Sequence, residues 1–287
     1  MLIAGFPAGT FAANCYAVAA GPGEECVIVD PGQGAEPGIE EIIRRYRLKP
    51  VAVLLTHGHI DHIWSVAPVC GARNIPAYIH PADRALLTDP ASGLWPQAAQ
   101  AGSALLGGLT FTEPDEVAEL ADGATLRLAG LEVVVDHAPG HTPGSVTFRL
   151  PGAGSPLSGG QGAGGPLSGG QGAGGPLGGS QGAGGQGAGG QGAGDPDGDP
   201  AVLFSGDLLF AGSIGRSDLP GGDYATIMDS LARVCLPLPD ETVVLAGHGP
   251  RTTIGAERAA NPFLAGLAPA SGSAPGPGSA AGSARGL

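Results

Sequence analysis

The sequence predicts a layered α/β protein, one domain with sheet at its centre, and three observations carry that reading. Short apolar runs of strand character alternate with stretches of helical periodicity. Some of those runs are apolar almost throughout, as strands covered on both faces are. Once a Gly-rich tract at 151–198 and a Gly/Ser/Ala/Pro tail from 267 are set aside, the 287 residues shrink to roughly 220, enough for one sizeable core and tight for two.

The elements follow in order. Cys26 to Asp30 is a buried strand stopped by Pro31-Gly32, and Glu36 to Arg47 places Ile39, Ile42, Ile43 and Tyr46 at helical spacing. Val51 to Thr56 is a second apolar strand, and after a His-rich turn a helix is expected over Ile60 to Cys70. Further strands are expected at Ala77–Ile79, Leu126–Leu128, Leu131–Asp136, Ser145–Arg149, Ala201–Ser205 and Thr242–Ala246, with a helix over Tyr224–Val234.

The tract at 151–198 repeats PLSGGQGAGG and then shorter pieces of it. It holds 23 of the 54 glycines and has no aromatic residue, Val, Ile, Lys or Arg. Such a composition cannot build a core, so a flexible loop joining two strands is expected. Loop closure grows only logarithmically with length, which keeps the extra cost to about 1 to 2 kcal/mol. The expected organisation is a catalytic domain over 1–150 and 199–266, a low-complexity loop at 151–198 and a disordered tail at 267–287.

Thirteen basic against 26 acidic side chains give a net charge of −13, with Lys49 the single lysine. A nucleic-acid partner, which calls for a basic stripe, is therefore not expected. The first basic residue is Arg44 and no apolar run is long enough to cross a bilayer, so a cytoplasmic protein without membrane attachment is expected. Cys15, Cys26, Cys70 and Cys235 are too scattered for a thiolate metal site and read as reduced, buried thiols.

The chemistry concentrates in Thr56-His57-Gly58-His59-Ile60-Asp61-His62. The strand ends at Thr56, so these side chains leave the carboxyl edge of a sheet, where ligands converge in α/β architectures. They offer more nitrogen and oxygen donors than one tetrahedral catalytic ion with an open position can use, which points to two ions. His141 in Pro-Gly-His-Thr-Pro-Gly-Ser, Asp207 in Ser-Gly-Asp and His248 in Gly-His-Gly also follow or separate strands, each beside a glycine that lets the backbone bend. Asp30 reads either as an outer partner of a ligand imidazole or as a turn cap. His80 and His137 read as structural or outer-sphere groups, because a full donor set exists without them.

These motifs, in this order, resemble the metallo-β-lactamase-fold hydrolases, and Gly215-Arg216-Ser217-Asp218-Leu219-Pro220-Gly221-Gly222-Asp223 looks like the glyoxalase II-like branch. The resemblance implies a four-layer αβ/βα sandwich with metals at one edge. It implies that His57, His59 and His141 hold one ion, that Asp61, His62 and His248 hold the second, and that Asp207 bridges them. Zinc is the expected metal, with iron or manganese as alternatives. Two dications bring the pKa of a bridging water toward neutrality, so a solvent-derived hydroxide would attack a thioester such as an S-lactoyl glutathione, with Asp61 as both ligand and orienter. A thiolate leaves without a strong general acid, its thiol having a pKa of about 8.5.

Where glutathione-specific forms carry Lys and Tyr, this chain has Arg216 and Asp218. Arg216 is the candidate for binding a substrate carboxylate, with an ion pair inside its own loop as the alternative. Other activities on the same scaffold are a single-iron persulfide dioxygenase, a lactonase or β-lactamase, and a non-catalytic metal-stabilised interaction protein.

Overall fold

The computed structural model describes residues 1–95, 110–152 and 200–269. The expected Gly-rich loop and the tail fall, almost entirely, outside the described residues. Two six-stranded sheets face each other. The first holds, in sequence and in space, β1 (Leu2–Ala8), β2 (Ala13–Ala19), β3 (Glu25–Val29), β4 (Lys49–Leu54), β5 (Ala77–Ile79) and β6 (Val117–Glu119). β1 to β3 are antiparallel neighbours, and β3 to β6 run parallel.

The second sheet holds β7 (Thr125–Leu128), β8 (Leu131–His137), β9 (Val146–Leu150) and β10 (Val202–Gly206), joined in antiparallel order. A small ribbon, β11 (Leu209–Phe210) with β12 (Ser213–Ile214), precedes β13 (Val243–Ala246), which lies parallel to β10, and the edge strand β14 (Thr252–Thr253). Helices α1 (Glu36–Tyr46), α2 (Ile60–Ile63) and α3 (Val66–Arg73) cover the first sheet. Helices α4 (Tyr224–Ser230) and α5 (Ile254–Ala260) cover the second.

The side chains show why the strands read as continuous apolar runs. Cys26 and Ile28 of β3, with Val53 and Leu55 at β4, pack under Ile39, Val66 and Val69 of the first helical layer. The alternate residues Val27, Val29, Ala52 and Leu54 point the other way, against Val133, Val135, Phe148 and Phe204 of the second sheet. Leu203 and Val244 then face Ile227, Leu231 and Ile254 in the outer helical layer. Strands buried on both faces need apolar residues at both parities. The result is the four-layer αβ/βα sandwich, a single domain.

Two helices depart from the expected spans. The helix expected over Ile60–Cys70 is broken at Trp64–Ser65. Pro68 has no N–H to give the carbonyl of Trp64 and its ring would clash there, so it is tolerated only within the first turn of a new helix. Ser65 makes the junction: its N–H donates to Pro31 O at 2.9 Å and its hydroxyl to Glu36 Oε2 at 2.8 Å. The helix expected over Tyr224–Val234 is α-helical only to Ser230 and continues as a π turn, Leu231–Cys235, whose Leu231, Ala232, Val234 and Cys235 are all buried. The β1–β2 hairpin and α5 were not expected from the sequence. Among the described residues no helix is long and apolar enough to cross a membrane.

Candidate metal centre

Ends of both sheets deliver the site. His57 and His59 follow β4, and Asp61 and His62 lie in α2. His141 sits in the loop from β8 to β9, Asp207 just past β10 and His248 just past β13. All seven project into one cluster. His57 Nε2 lies 3.2 Å from His141 Nε2, and His59 Nδ1 lies 2.8 Å from that same nitrogen. Beside this triad, His248 Nε2 is 3.1 Å from Asp61 Oδ2 and 3.3 Å from His62 Nε2. Asp207 stands between the two groups, Oδ1 being 3.5 Å from His62 Nε2 and Oδ2 3.6 Å from His141 Nε2 and 3.7 Å from His248 Nε2.

The other ring nitrogens decide what the cluster can hold. His141 Nδ1 donates to Arg216 O at 2.7 Å, and His62 Nδ1 donates to Asp30 Oδ2 at 3.0 Å. Thr56 Oγ1 gives its proton to Asp30 Oδ2 at 2.6 Å, which leaves its lone pairs for His57 Nδ1–H at 3.1 Å. With Nδ1 of His57 and of His141 acting as donor, their Nε2 atoms present lone pairs to each other across 3.2 Å, and His59 Nδ1 lies 2.8 Å from Nε2 of His141. Lone pairs repel unless a proton or a cation lies between them. Buried Asp207 Oδ1 also has no hydrogen-bond partner. Tetrahedral donors about 2.0 to 2.1 Å from zinc lie about 3.3 Å apart, which is the spacing found here. The residues fit a pair of metal ions.

Electrostatics divides the cluster. Burial, helped by the neighbouring imidazoles, holds His57 well below the usual histidine range and His59 at about 3. Both are neutral and free to ligate. Burial also disfavours charge on His62, yet Asp61, Asp207 and Asp30 overcome it and push it up to about 10. The hydrogen bond to Asp61 raises His248 as well. Burial opposes ionisation of Asp61, but His62 and His248 prevail and hold its carboxyl well below the ordinary carboxylate range.

Several supports were not legible in the sequence. Asp83, fully buried, accepts from Gly58 N at 2.8 Å and Thr142 Oγ1 at 2.6 Å through Oδ2, and from Gly144 N at 2.8 Å through Oδ1. It ties the 57–62 turn to the loop of His141. Asn14 Nδ2 donates to Ala246 O and Gly249 O at 3.0 and 2.9 Å, and Tyr16 Oη to Ala246 O at 2.8 Å, so the unexpected hairpin grips the turn carrying His248. Gly247 is required in that turn, since a Cβ there would come within 2.2 Å of Asp207 Oδ1. Nothing local in the sequence announced the long-range partners of Asp83.

Of the two readings of Asp30, the structure has the outer partner: it lies after β3 at φ 48° and contacts His62 and Thr56. His80 and His137 stack on each other, 4.1 Å between centroids, outside the cluster. All four cysteines are free and buried. Arg216 lines the cleft but pairs with Asp218, Nε to Oδ1 at 2.7 Å and Nη2 to Oδ2 at 2.9 Å. The cleft, about 650 Å³, opens over His59, Asp61, His141, Asp207 and His248, with Phe11, Leu94, Phe210, Ile214 and Leu219 on its walls.

The profile of the metallo-β-lactamase superfamily matches residues 8–154 and 160–248. An uncharacterized protein of Mycobacterium tuberculosis is 45% identical over 93% of this chain and 99% of its own length. The hydroxyacylglutathione hydrolase GloC of Haemophilus influenzae is 29% identical over 84% of this chain and 88% of its own. Among solved structures, the BLEG-1 B3 metallo-β-lactamase superposes with a TM-score of 0.65 at 34% identity, covering 92% of this chain and all of that one. TTHA1623 in a di-iron-bound form superposes at 0.60 with 35% identity, over 89% of this chain and 97% of that one. With its fold, its converging donors and a match over most of its length, the chain belongs to the metallo-β-lactamase superfamily, as a metal-dependent hydrolase.

Proposed function

We propose that the protein hydrolyses the thioester of a low-molecular-weight thiol, S-lactoylglutathione being one such conjugate, with two divalent metal ions. The observation that carries this reading is the pair of facing Nε2 lone pairs of His57 and His141, each fixed by a donor bond from its Nδ1, with Asp207 standing between that group and His62. In it, His57, His59 and His141 hold one ion, Asp61, His62 and His248 the other, and Asp207 reaches both. Nitrogen and carboxylate donors suit zinc, iron and manganese, and the likeness to a di-iron-bound protein supports iron beside zinc. Such a pair, when bound, brings the pKa of water toward neutrality and polarises a carbonyl.

The chain's own residues do the rest. Asp61, ionised and on the cleft, accepts a hydrogen bond from the attacking water and orients it toward the acyl carbon. The apolar walls hold the acyl group and displace bulk water. A C–O bond forms, the C–S bond breaks, and the products are a carboxylic acid and the thiol, with water supplying both the oxygen and the proton. Among the described residues no cysteine lines the cleft, and burial pushes Cys26, Cys70 and Cys235 up to about 12, so no thiol serves as nucleophile.

The similarity to GloC supports the thioester reading, and the likeness to BLEG-1 favours lactam hydrolysis as a second. Metal-reconstituted protein offered thioesters, lactams and lactones distinguishes them. Thioesters are expected to show the highest kcat/KM, without oxygen uptake. Turnover confined to lactams overturns the proposal, and oxygen uptake with persulfides assigns the dioxygenase instead.

A further inference from the structure

The far wall of the cleft has a charge arrangement that the metal centre does not explain. Among the described residues, Arg216 is the only cationic side chain lining the cleft apart from the histidines. Its guanidinium fork is filled by the Asp218 carboxylate, two donors to two oxygens. Trp95 fixes both partners: its ring lies 5.2 Å from the guanidinium carbon of Arg216, and its Nε1 donates to Asp218 O at 2.7 Å. Apart from the metal-centre side chains and Ser213, the other residues lining the cleft are apolar, Phe11, Ile60, Leu94, Phe210, Ile214 and Leu219.

An incoming carboxylate would compete with Asp218 for the same fork and would bring a second negative charge against one guanidinium. Asp218 holds the Nε–Nη2 face, so a second carboxylate could reach only the Nη1–Nη2 face of a guanidinium whose charge is already balanced, with the Asp218 carboxylate beside it. An amide or hydroxyl meets no such repulsion and can hydrogen-bond to the outer edges of the pair. Like-charge juxtaposition of this kind acts as a selective element because it penalises the wrong partner.

Resting on the thioester reading, we infer that the Arg216–Asp218 pair, braced by Trp95, selects conjugates whose thiol carrier has no carboxylate facing this wall. Arg216 thus acts as half of a neutral pair rather than as a carboxylate receptor, and Asp218 determines the specificity. The substrate class narrows to acyl thioesters of a neutral or hydroxylated thiol.

A matched pair of substrates tests this: S-lactoyl-N-acetylcysteine and its carboxamide, which differ only in one carboxylate. The metal-loaded wild type is expected to favour the carboxamide by about tenfold in kcat/KM, the scale of one charge-assisted hydrogen bond gained or lost. Asp218→Asn is expected to shrink that preference to near unity through a lower KM for the carboxylate. A wild type that prefers the carboxylate, or a preference untouched by Asp218→Asn, overturns the inference. Turnover of neither compound refutes the thioester reading instead. Selectivity is then read from binding of the two S-hexyl thioethers, followed by tryptophan fluorescence, and equal affinities in wild type and variant overturn the inference there too.

Discussion

Asp30 is absent from the proposed ligand set, yet its two oxygens take the backbone N–H and hydroxyl of Thr56 and the Nδ1 of His62. Through Thr56 it also fixes the ring of His57. Outer partners of this kind are worth about 10- to 100-fold in metal affinity. Asp30→Asn is therefore expected to weaken binding by that factor while the apo fold stays intact, as read by competition with a chromophoric chelator. A second prediction follows from the charge split. His62 is raised to about 10, so at neutral pH an ion entering beside it must displace a proton, whereas His59, lowered to about 3, has none to lose. Affinity at the Asp61, His62 and His248 side should fall about tenfold per pH unit per displaced proton. Acidification from about pH 8 to about pH 6 should release the ion there first, which metal analysis after dialysis at each pH checks.

Among the elements, the loops matter through what they are tied to. Asp83, within the turn Pro81–Leu87, joins the β4–α2 turn to the β8–β9 loop through three donors. Asp83→Ala should cost about 1 to 3 kcal/mol for each donor left without a partner, a loss measurable by urea unfolding, and the isosteric Asn should cost less. Strands β6, β11, β12 and β14, two or three residues each, left no pattern, whereas β3, β4 and β10 were readable because burial on both faces writes itself as a continuous apolar run. β1 and β2 were not. Gly5 and Pro7 interrupt one, and the small residues of ANCYAVA blur the other. The break before α3 was visible only as Pro68, whose effect falls four residues upstream at Trp64. The donors themselves were legible because ligands at strand ends declare their chemistry by residue type. Asp83, Asn14 and Tyr16 were not, because a carboxylate or amide that braces a loop looks the same in sequence as one facing water.

Over the whole molecule, the two halves of the chain meet through paired strands. Leu150 at the end of β9 is the register partner of Val202 at the start of β10, so a short turn can join them. Replacing residues 153–199 with a Gly/Ser turn of about five residues should keep both activity and metal content and change stability by no more than about 2 kcal/mol, as thermal unfolding and assay will show. The site needs every layer that delivers a ligand, the first sheet giving four donors and the second three. The central claim is that these seven side chains surround two ions. It is tested most directly by metal analysis of the protein and of Asp61→Ala, with turnover measured on the same samples. The account predicts two ions per chain in the wild type, and in the variant about one ion and at least about a 100-fold loss in rate. An Asp61→Ala protein with undiminished turnover, or a wild type that binds one ion at most, would contradict it.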